Sequence, residues 1–227
     1  MSTVVERIAA NLDEVRAAIA TACRQHGRDP HDVRLIAVTK EQEPAVLAPL
    51  VAAGVSDLGE NRIDHLEVMH AAAPAAARFH FIGRVQGRQL AKLVPHCVAI
   101  HSLCEAEHIE RLGRACVALD RLLQVFIQVN VADDAAKAGV PATELASRLE
   151  LARRTAGLEV VGLMTMAPLS ATGGQADEGT VRRCFAALRS LAQRHQLPRL
   201  SMGMSEDFPY AVAEGATDLR MGTRLFR

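Results

Sequence analysis

The sequence predicts a closed (β/α)8 barrel, a TIM barrel, with one additional helix at its N-terminus. Short apolar, β-branched segments alternate strictly with segments of helical periodicity, which predicts a parallel sheet. Eight such strand–helix units, the last helix being weak, follow a leading helix within 227 residues, and that number predicts closure. An open doubly wound sheet is the alternative. It usually has about five or six strands, and no G-x-G-x-x-G motif follows the first strand here.

The first half of the chain contains the leading helix and four strand–helix units. The leading helix is predicted over residues 3–26 and ends at Gly27, because Ile8, Leu12, Val15 and Ile19 recur at helical spacing. Strands are predicted over residues 34–39, 55–58, 79–82 and 97–101. The helices that follow them are predicted over 44–53, 61–72, 86–94 and 104–118.

The second half repeats this pattern. Strands are predicted over residues 122–129, 158–164, 200–201 and 218–221, and helices over 176–195 and 205–215, with another opened by Pro141 and ended by Gly157. A polar loop over 132–139 and a glycine-rich loop over 170–174 follow the fifth and sixth strands. Without a linker or low-complexity segment, residues 1–227 are expected to form a single domain.

Composition excludes several classes of function. The chain has 26 basic and 26 acidic residues, no Trp and one Tyr, so neither a nucleic-acid partner nor a base-stacking surface is expected. No segment resembles a secretory signal or a membrane span. The five cysteines lack metal-ligand spacing and are typical of reduced thiols, so we expect a cytoplasmic protein.

Lys40 is the first candidate functional residue. The apolar run Leu35–Thr39 ends at this lysine, at the carboxyl end of the first predicted strand, where TIM barrels hold their active sites. A strand that delivers a lysine from an apolar interior to a loop suits a Schiff base, because desolvation lowers the pKa of an ammonium group and the free amine attacks carbonyl groups. The alternative is a charged residue that simply ends a strand.

The loops after the seventh and eighth strands indicate an anion site. Barrels often bind phosphate in these two loops. Here they contain Ser201-Met202-Gly203-Met204-Ser205 and Gly222-Thr223, which combine glycines with hydroxyl donors. Two tight turns with an N-cap at Ser205 are the alternative. Opposite a lysine on the first strand, the two loops together predict a phosphorylated carbonyl ligand.

Other polar residues at the strand ends allow two interpretations each. Arg220 shares a strand face with Asp218, so it either meets a ligand such as the ring nitrogen of pyridoxal phosphate (PLP) or forms an ion pair with Asp218 or Glu60. His80 and His101 are either site residues or hydrogen-bonded core histidines. Asn61 either contacts the ligand or caps a helix.

These motifs together resemble the PLP homeostasis protein family, which has the fold of the alanine racemase N-terminal domain. The resemblance covers residues 5–226 and rests on LIAVTK, GENR, HFIG, QVN with KAG, GLMTM, LSMGMSEDF and LRMGTRLF. Two departures concern the edge of the site. Residues 84–89 read RVQGRQ where the family usually has L-Q-x-N-K, and the chain ends in Phe226-Arg227 rather than in glycine.

The resemblance implies a role for nine residues. Lys40 would form the internal aldimine with PLP, Arg220 would face the pyridine nitrogen, and the remaining contacts would come from Ser201, Gly222 and Thr223 at the phosphate, with Met204 nearby, and from Asn61, His80 and Met164 along the cofactor.

Two classes of function, a PLP carrier and a PLP enzyme, are compatible with these residues. A reversible Schiff base, a phosphate site and an open rim suffice for a protein that buffers PLP or delivers it to partners such as PLP-requiring apoenzymes, without strong catalysis. An amino-acid racemase of fold type III needs a second acid or base, and the only tyrosine, Tyr210, falls within a predicted helix. A Schiff-base aldolase would need a proton-transfer partner, for which His80 is the candidate. The carrier is favoured, and we expect a monomer because the second domain of the racemases is missing.

Overall fold

A computed structural model describes residues 4–131, 138–168 and 176–227, which form a closed barrel of parallel strands. The barrel strands are β1 Arg34–Val38, β2 Asp57–Glu60, β3 Arg78–Phe81, β4 Cys97–Leu103, β5 Leu123–Asn130, β7 Leu158–Met164, β8 Arg199–Ser201 and β9 Asp218–Met221. They pair in the order β4-β3-β2-β1-β9-β8-β7-β5, and pairing of β4 with β5 closes the ring. The two-residue strand β6, Val140–Pro141, extends the sheet beyond the end of β5.

Helices surround the barrel. They are α1 Val4–Gln25, α2 Leu47–Ala52, α3 Ile63–Ala72, α4 Leu90–Leu93, α5 Ala106–Ala118, α6 Leu145–Arg154, α7 Glu178–Arg194 and α8 Phe208–Ala213. Helix α1 precedes the first strand and packs against α2 and α8, so the additional N-terminal helix covers the junction of β1 and β9. The predicted TIM barrel with an extra helix is confirmed, and the open sheet is excluded by the β4–β5 pairing.

Some predicted boundaries are wrong. The second strand is Asp57–Glu60 rather than 55–58, because Gly59 lies within the strand, where a Cβ atom would come 3.1 Å from Cγ2 of Ile36. The helix predicted over 86–94 is a 3-10 turn followed by the four-residue α4. The helix predicted from Ser205 begins at Phe208. The polar loop is described only from residue 138 onwards, and the glycine-rich loop over 170–174 lies outside the described residues.

The strands direct apolar side chains outward and mostly polar ones inward. The outward side chains of β5, at residues 123, 125, 127 and 129, join the large core between the sheet and the helices. A small second cluster within the barrel contains Phe126, Val161 and Met164. Because the outer layer provides most of the apolar burial, the barrel interior is free to hold buried polar groups.

The described residues include all the cysteines and the helices that could be tested for membrane spanning. All five cysteines fall within the described residues, and no two of them form a disulfide bond. No described helix is both long enough and apolar enough to cross a membrane.

Ion pairs connect the amino-terminal ends of neighbouring strands. Asp218 is buried and accepts hydrogen bonds from Nε of Arg199, at 3.2 Å, and from Nη2 of the same side chain. Arg78 at the start of β3 binds Asp57 at the start of β2 in the same way, through Nε and Nη2 at 3.0 and 2.5 Å. Since TIM barrels carry function at the opposite face, these pairs stabilise the fold.

Replacement of Asp218 tests this role. Asp218→Ala leaves the guanidinium of Arg199 without its carboxylate partner, and we expect the free energy of unfolding to fall by about 3 kcal/mol. Urea unfolding of wild type and variant measures this difference. Glu107→Ala, which breaks an exposed pair with Arg111, is the control and is expected to cost less than about 1 kcal/mol. Equal losses in both variants would contradict the structural role of the Asp218 pair.

Candidate functional site

A cavity of about 700 Å³ opens at the carboxyl ends of the barrel strands. Seven of the nine predicted site residues line it: Lys40, Asn61, Met164, Met204, Arg220, Gly222 and Thr223. The wall also includes Val38, Gln42, Ile82, Ser205, Asp207 and Phe226. The parallel sheet brings these residues together, although they are far apart in the sequence, because all strands end at the same face.

Lys40 lies two residues beyond β1, at the edge of the cavity. Its side chain is 47% exposed, and Nζ lies 3.5 Å from Oε1 of Glu41. The strand delivers Lys40 to a loop as predicted, but the desolvation expected for the amine is not seen, since the buried neighbour is Thr39 and not Lys40. The amine is accessible from solvent and from the cavity.

A buried carboxylate and a histidine bond to the residues on either side of Lys40. Oε1 of Glu60 accepts a hydrogen bond from the hydroxyl of Thr39. Nδ1 of His65 lies 2.7 Å from Oε2 of Glu60, and Nε2 lies 3.1 Å from the backbone oxygen of Gln42. Both partners are acceptors, so the doubly protonated imidazolium satisfies them best. Burial lowers the pKa of His65, but the hydrogen bond and charge of Glu60 outweigh this and raise it above 6.5.

The loops after β8 and β9 present unpaired donors to the cavity. In the described part of the chain, the backbone N–H groups of Ser205, Gly222 and Thr223 have no acceptor, and neither hydroxyl of Ser205 or Thr223 has a partner. Gly203 has φ +93°, which a side chain would strain, and a Cβ atom there would come 2.5 Å from Cβ of Ala211. These loops therefore provide the kind of backbone and hydroxyl donors that bind a phosphate.

Asp207 shapes the first of these loops. Its Oδ1 accepts a hydrogen bond from the backbone N–H of Met204 at 2.5 Å, and burial raises the pKa of this carboxyl. Asp207, rather than Ser205, occupies the N-cap position of α8. The alternative in which Ser205 caps a helix is therefore wrong, and the hydroxyl of Ser205 is available to a ligand.

Arg220 reaches the cavity from the barrel interior. It is 3% exposed, its Nη1 donates to Oγ of Ser201 at 2.6 Å, and its Nη2 donates to the backbone oxygen of Thr165 at 3.1 Å. Burial lowers its pKa to about 10, so the guanidinium stays charged at neutral pH. Asp218 and Glu60 are bonded to other groups, and the ion-pair alternative for Arg220 is not what the structure shows.

His80 and Ser201 lie behind the cavity wall. His80 is fully buried, with Nε2 2.8 Å from Oδ1 of Asp57 and Nδ1 2.9 Å from Nε2 of His101. Ser201 is equally buried, and its hydroxyl is bonded to Arg220 and His101. Direct contact of these two side chains with a ligand in the cavity does not fit their positions. Ser205, four residues further on, lines the cavity, whereas Ser201 does not.

Asn61 is the best indication that the cavity accepts a polar ligand. Its side-chain oxygen is buried and has no hydrogen-bond partner among the described residues. The backbone of Asn61 packs closely on Gly83, where a Cβ atom would come 2.0 Å from the backbone oxygen of Asn61. This contact explains the glycine of the HFIG segment. Buried polar atoms normally have partners, so a ligand donor is the natural one.

The protein is a parallel (β/α)8 barrel whose described residues include an accessible lysine and unpaired hydrogen-bond donors at the carboxyl ends of its strands. Its residues 7–227 match the family model for the alanine racemase N-terminal domain, and the chain belongs to that family.

Two relatives that match over almost their whole length have the same name. The pyridoxal phosphate homeostasis protein of Deinococcus radiodurans is 37% identical, and the match covers 95% of this chain and 99% of the relative. The protein of that name from Pseudomonas aeruginosa is 34% identical over 100% of this chain and 96% of its own length.

Solved structures show the same fold. PipY of Synechococcus elongatus, 33% identical over 97% of this chain and 100% of PipY, has TM-scores of 0.86 without PLP and 0.83 with PLP bound. D-threonine aldolase from Filomicrobium marinum has a TM-score of 0.76, but it is 17% identical and the match covers 61% of its length. The aldolase therefore shows only that the fold is similar.

The His65 contact makes stability depend on pH. Its folded-state pKa lies above the unfolded value of 6.5, so the stabilisation is fully present below pH 6.5 and is lost as the pH rises through the folded value. His65→Gln is therefore expected to destabilise the protein more at about pH 6 than at about pH 8.5. Urea unfolding at both values measures the difference. The exposed His26→Gln serves as control, and a pH-independent effect of His65→Gln would refute the imidazolium interpretation.

Proposed function

We propose that this protein binds PLP through a Schiff base with Lys40 and maintains the intracellular PLP supply as a buffer or carrier. One observation carries the proposal: a single cavity unites an accessible amine, a buried arginine and a rim of unpaired amides and hydroxyls. The relatives named PLP homeostasis protein and the PLP-bound structure of PipY support it.

Each part of the cavity suits one part of the cofactor. The Lys40 amine would bond to the aldehyde carbon with loss of water, and the rim formed by Ser205, Gly222 and Thr223 would bind the phosphate. Arg220 would donate to the ring nitrogen. The remaining wall contacts would come from Asn61, Met164 and Met204. Bound PLP supplies an electrophilic carbon and an electron-withdrawing ring.

Several features favour a carrier over an enzyme. The Tyr210 hydroxyl donates to Glu178 on α7 at 3.3 Å, outside the cavity wall, so it does not supply a racemase base. A guanidinium at the ring nitrogen would keep that nitrogen unprotonated and would weaken the electron sink. His80, the proton-transfer partner considered for an aldolase, is fully buried behind the wall.

The biological setting forms part of the same proposal. The half-exposed Lys40 would allow PLP to exchange with the surroundings, and PLP-requiring apoenzymes are the recipients that we propose. We propose the cytoplasm as the compartment, since the described cysteines form no disulfide bond, and we propose a monomer of one barrel domain.

Loss of the amine tests the proposal directly. Wild-type protein incubated with PLP is expected to gain a visible absorbance and to retain one PLP after borohydride reduction, whereas Lys40→Ala gains neither. Absorbance spectra and intact mass measure both effects. Lys92→Ala, which removes an exposed lysine beside Glu67, is the matched control and should behave as wild type.

Two outcomes would contradict this proposal in different ways. Wild-type protein that takes up no PLP would exclude the cofactor itself. PLP-loaded protein that turns over any of a panel of amino acids at about 10 per second, an ordinary enzymatic rate, would exclude the carrier and leave a PLP enzyme.

Removal of the Ser205 hydroxyl tests the proposed phosphate site. Ser205→Ala removes one hydroxyl donor from the rim, and we expect PLP to bind about tenfold more weakly, as for a hydrogen bond to a charged group. Pyridoxal, which lacks the phosphate, should bind wild type and variant equally. Equilibrium dialysis measures both. Ser190→Ala on α7, whose hydroxyl bonds to Ala186, is the control, and an equal loss for pyridoxal would argue against a phosphate contact.

A further inference from the structure

A continuous chain of hydrogen bonds crosses the barrel interior and ends on Arg220. Asp57 on β2 lies 2.8 Å from Nε2 of His80 on β3, whose Nδ1 lies 2.9 Å from Nε2 of His101 on β4. Nδ1 of His101 lies 2.7 Å from Oγ of Ser201 on β8, across the barrel, and Ser201 bonds to Arg220 on β9 at 2.6 Å. All five side chains are buried.

The two ends of this chain fix its direction. The guanidinium of Arg220 can only donate. Burial raises the pKa of Asp57, but hydrogen bonds from His80 and Arg78 outweigh it and hold the pKa at about 2, so this carboxylate can only accept. One end can only donate and the other can only accept, so all four hydrogen bonds must point in the same direction, from Arg220 towards Asp57.

That direction assigns the protons on both histidines. Arg220 donates to Ser201, and the Ser201 hydroxyl donates to Nδ1 of His101. Nε2–H of His101 donates to Nδ1 of His80, and Nε2–H of His80 donates to Asp57. The reverse order would need a positively charged His80 and would leave the Ser201 hydroxyl proton without an acceptor among its chain partners. Both rings are therefore neutral, with the proton on Nε2.

The surrounding charges agree with neutral rings. His80 faces the carboxylates of Asp57 and Asp218 and the guanidinium of Arg34, and burial is the largest effect and lowers its pKa. Burial likewise lowers the pKa of His101 far below 6.5, and His80, Arg220, Arg199 and Arg34 lower it further. These charges favour an uncharged ring at His101 most strongly.

Packing holds the central ring in place. The His101 ring stacks on Phe126 with centroids 4.2 Å apart and an interplanar angle of 21°. The guanidinium of Arg199 also packs over the Phe126 ring, 5.0 Å from its centroid. His101 is therefore fixed in both position and tautomer.

We propose that His101 and His80 are positioning residues that fix the orientation of Arg220 toward the cavity. The inference rests on the proposed function only in that Arg220 would meet the ring nitrogen of PLP. Because the Ser201 hydroxyl is committed as a donor to His101, its lone pairs are left for Nη1 of Arg220. The Thr165 oxygen holds Nη2, and the guanidinium can then rotate only by losing these bonds.

Histidine NMR of the wild-type protein without PLP tests the chain itself. With 15N-labelled histidine, long-range 1H–15N correlations should show two rings that remain neutral Nε2–H tautomers from about pH 5.5 to 8, whereas an unperturbed histidine titrates within that range. His101→Phe and His80→Phe assign the signals. An imidazolium or an Nδ1–H tautomer at either position would overturn the proposal, and this result does not depend on PLP.

Variants of His101 test the effect on Arg220. His101→Phe keeps a ring that can stack on Phe126 but leaves the Ser201 hydroxyl without its acceptor. We expect PLP to bind about fivefold more weakly, as for one lost hydrogen bond, and the visible absorbance to acquire a pH transition from protonation of the ring nitrogen. His101→Gln, whose amide both accepts and donates, should restore the wild-type spectrum to within about twofold in affinity.

The controls separate this inference from the proposed function. His96→Phe makes the same exchange at a ring that packs on His70 and takes no part in the hydrogen bonds between Asp57 and Arg220. It should leave the visible spectrum of bound PLP and the affinity for PLP unchanged. If wild type takes up no PLP, the proposed function fails while the NMR result stands. If His101→Phe and His96→Phe have the same PLP spectrum, PLP uptake stands and the positioning role is wrong. Should His101→Phe not fold, His101→Gln and the wild-type NMR still decide.

Discussion

A buried positive charge governs the interior of this barrel. Arg220 is 3% exposed, and its direct acceptors are a hydroxyl and a backbone carbonyl rather than a carboxylate. Asp207 and Asp218 act on it only through their charge. Burying an ion is costly unless its donors are satisfied, so the interior supplies acceptors where many barrels stack branched apolar residues. The polar chain behind Arg220 is a consequence of that requirement.

The two faces of the barrel use charge differently. At the amino-terminal ends of the strands, Asp218 and Asp57 are bonded to the guanidinium groups of Arg199 and Arg78. At the carboxyl ends, the amides and hydroxyls of Ser205 and Thr223 have no protein partner among the described residues. Polar groups with protein partners stabilise the fold, whereas donors without a protein partner are free to bond to a ligand or to water. The polar chain joins the two faces, because it begins at Asp57 and ends at Arg220.

The sequence predicted the barrel because alternation and unit number are one-dimensional patterns. Lys40 followed from the same pattern, since a residue just beyond an apolar strand must lie at a known face. The placement of Ser205 on the cavity wall and of Ser201 behind it depends on where the three-residue strand β8 ends, and apolar patterning does not locate so short an element. The hydrogen-bonded position of His80 depends on register across five strands and on a contact spanning the barrel, neither of which local sequence encodes.

The matched donors and acceptors in the barrel interior also have an evolutionary consequence. Losing His80 alone would leave Nε2–H of His101 without its acceptor and would remove one of the donors to Asp57, and a new donor at one position would meet an existing donor at the next. Single exchanges that do not reproduce the lost donor or acceptor are therefore disfavoured, and such changes along this row of hydrogen bonds are expected to occur in compensating groups. Related barrels that carry an arginine at the position of Arg220 should inherit one complete set of interior polar residues or another, with few mixtures of the two.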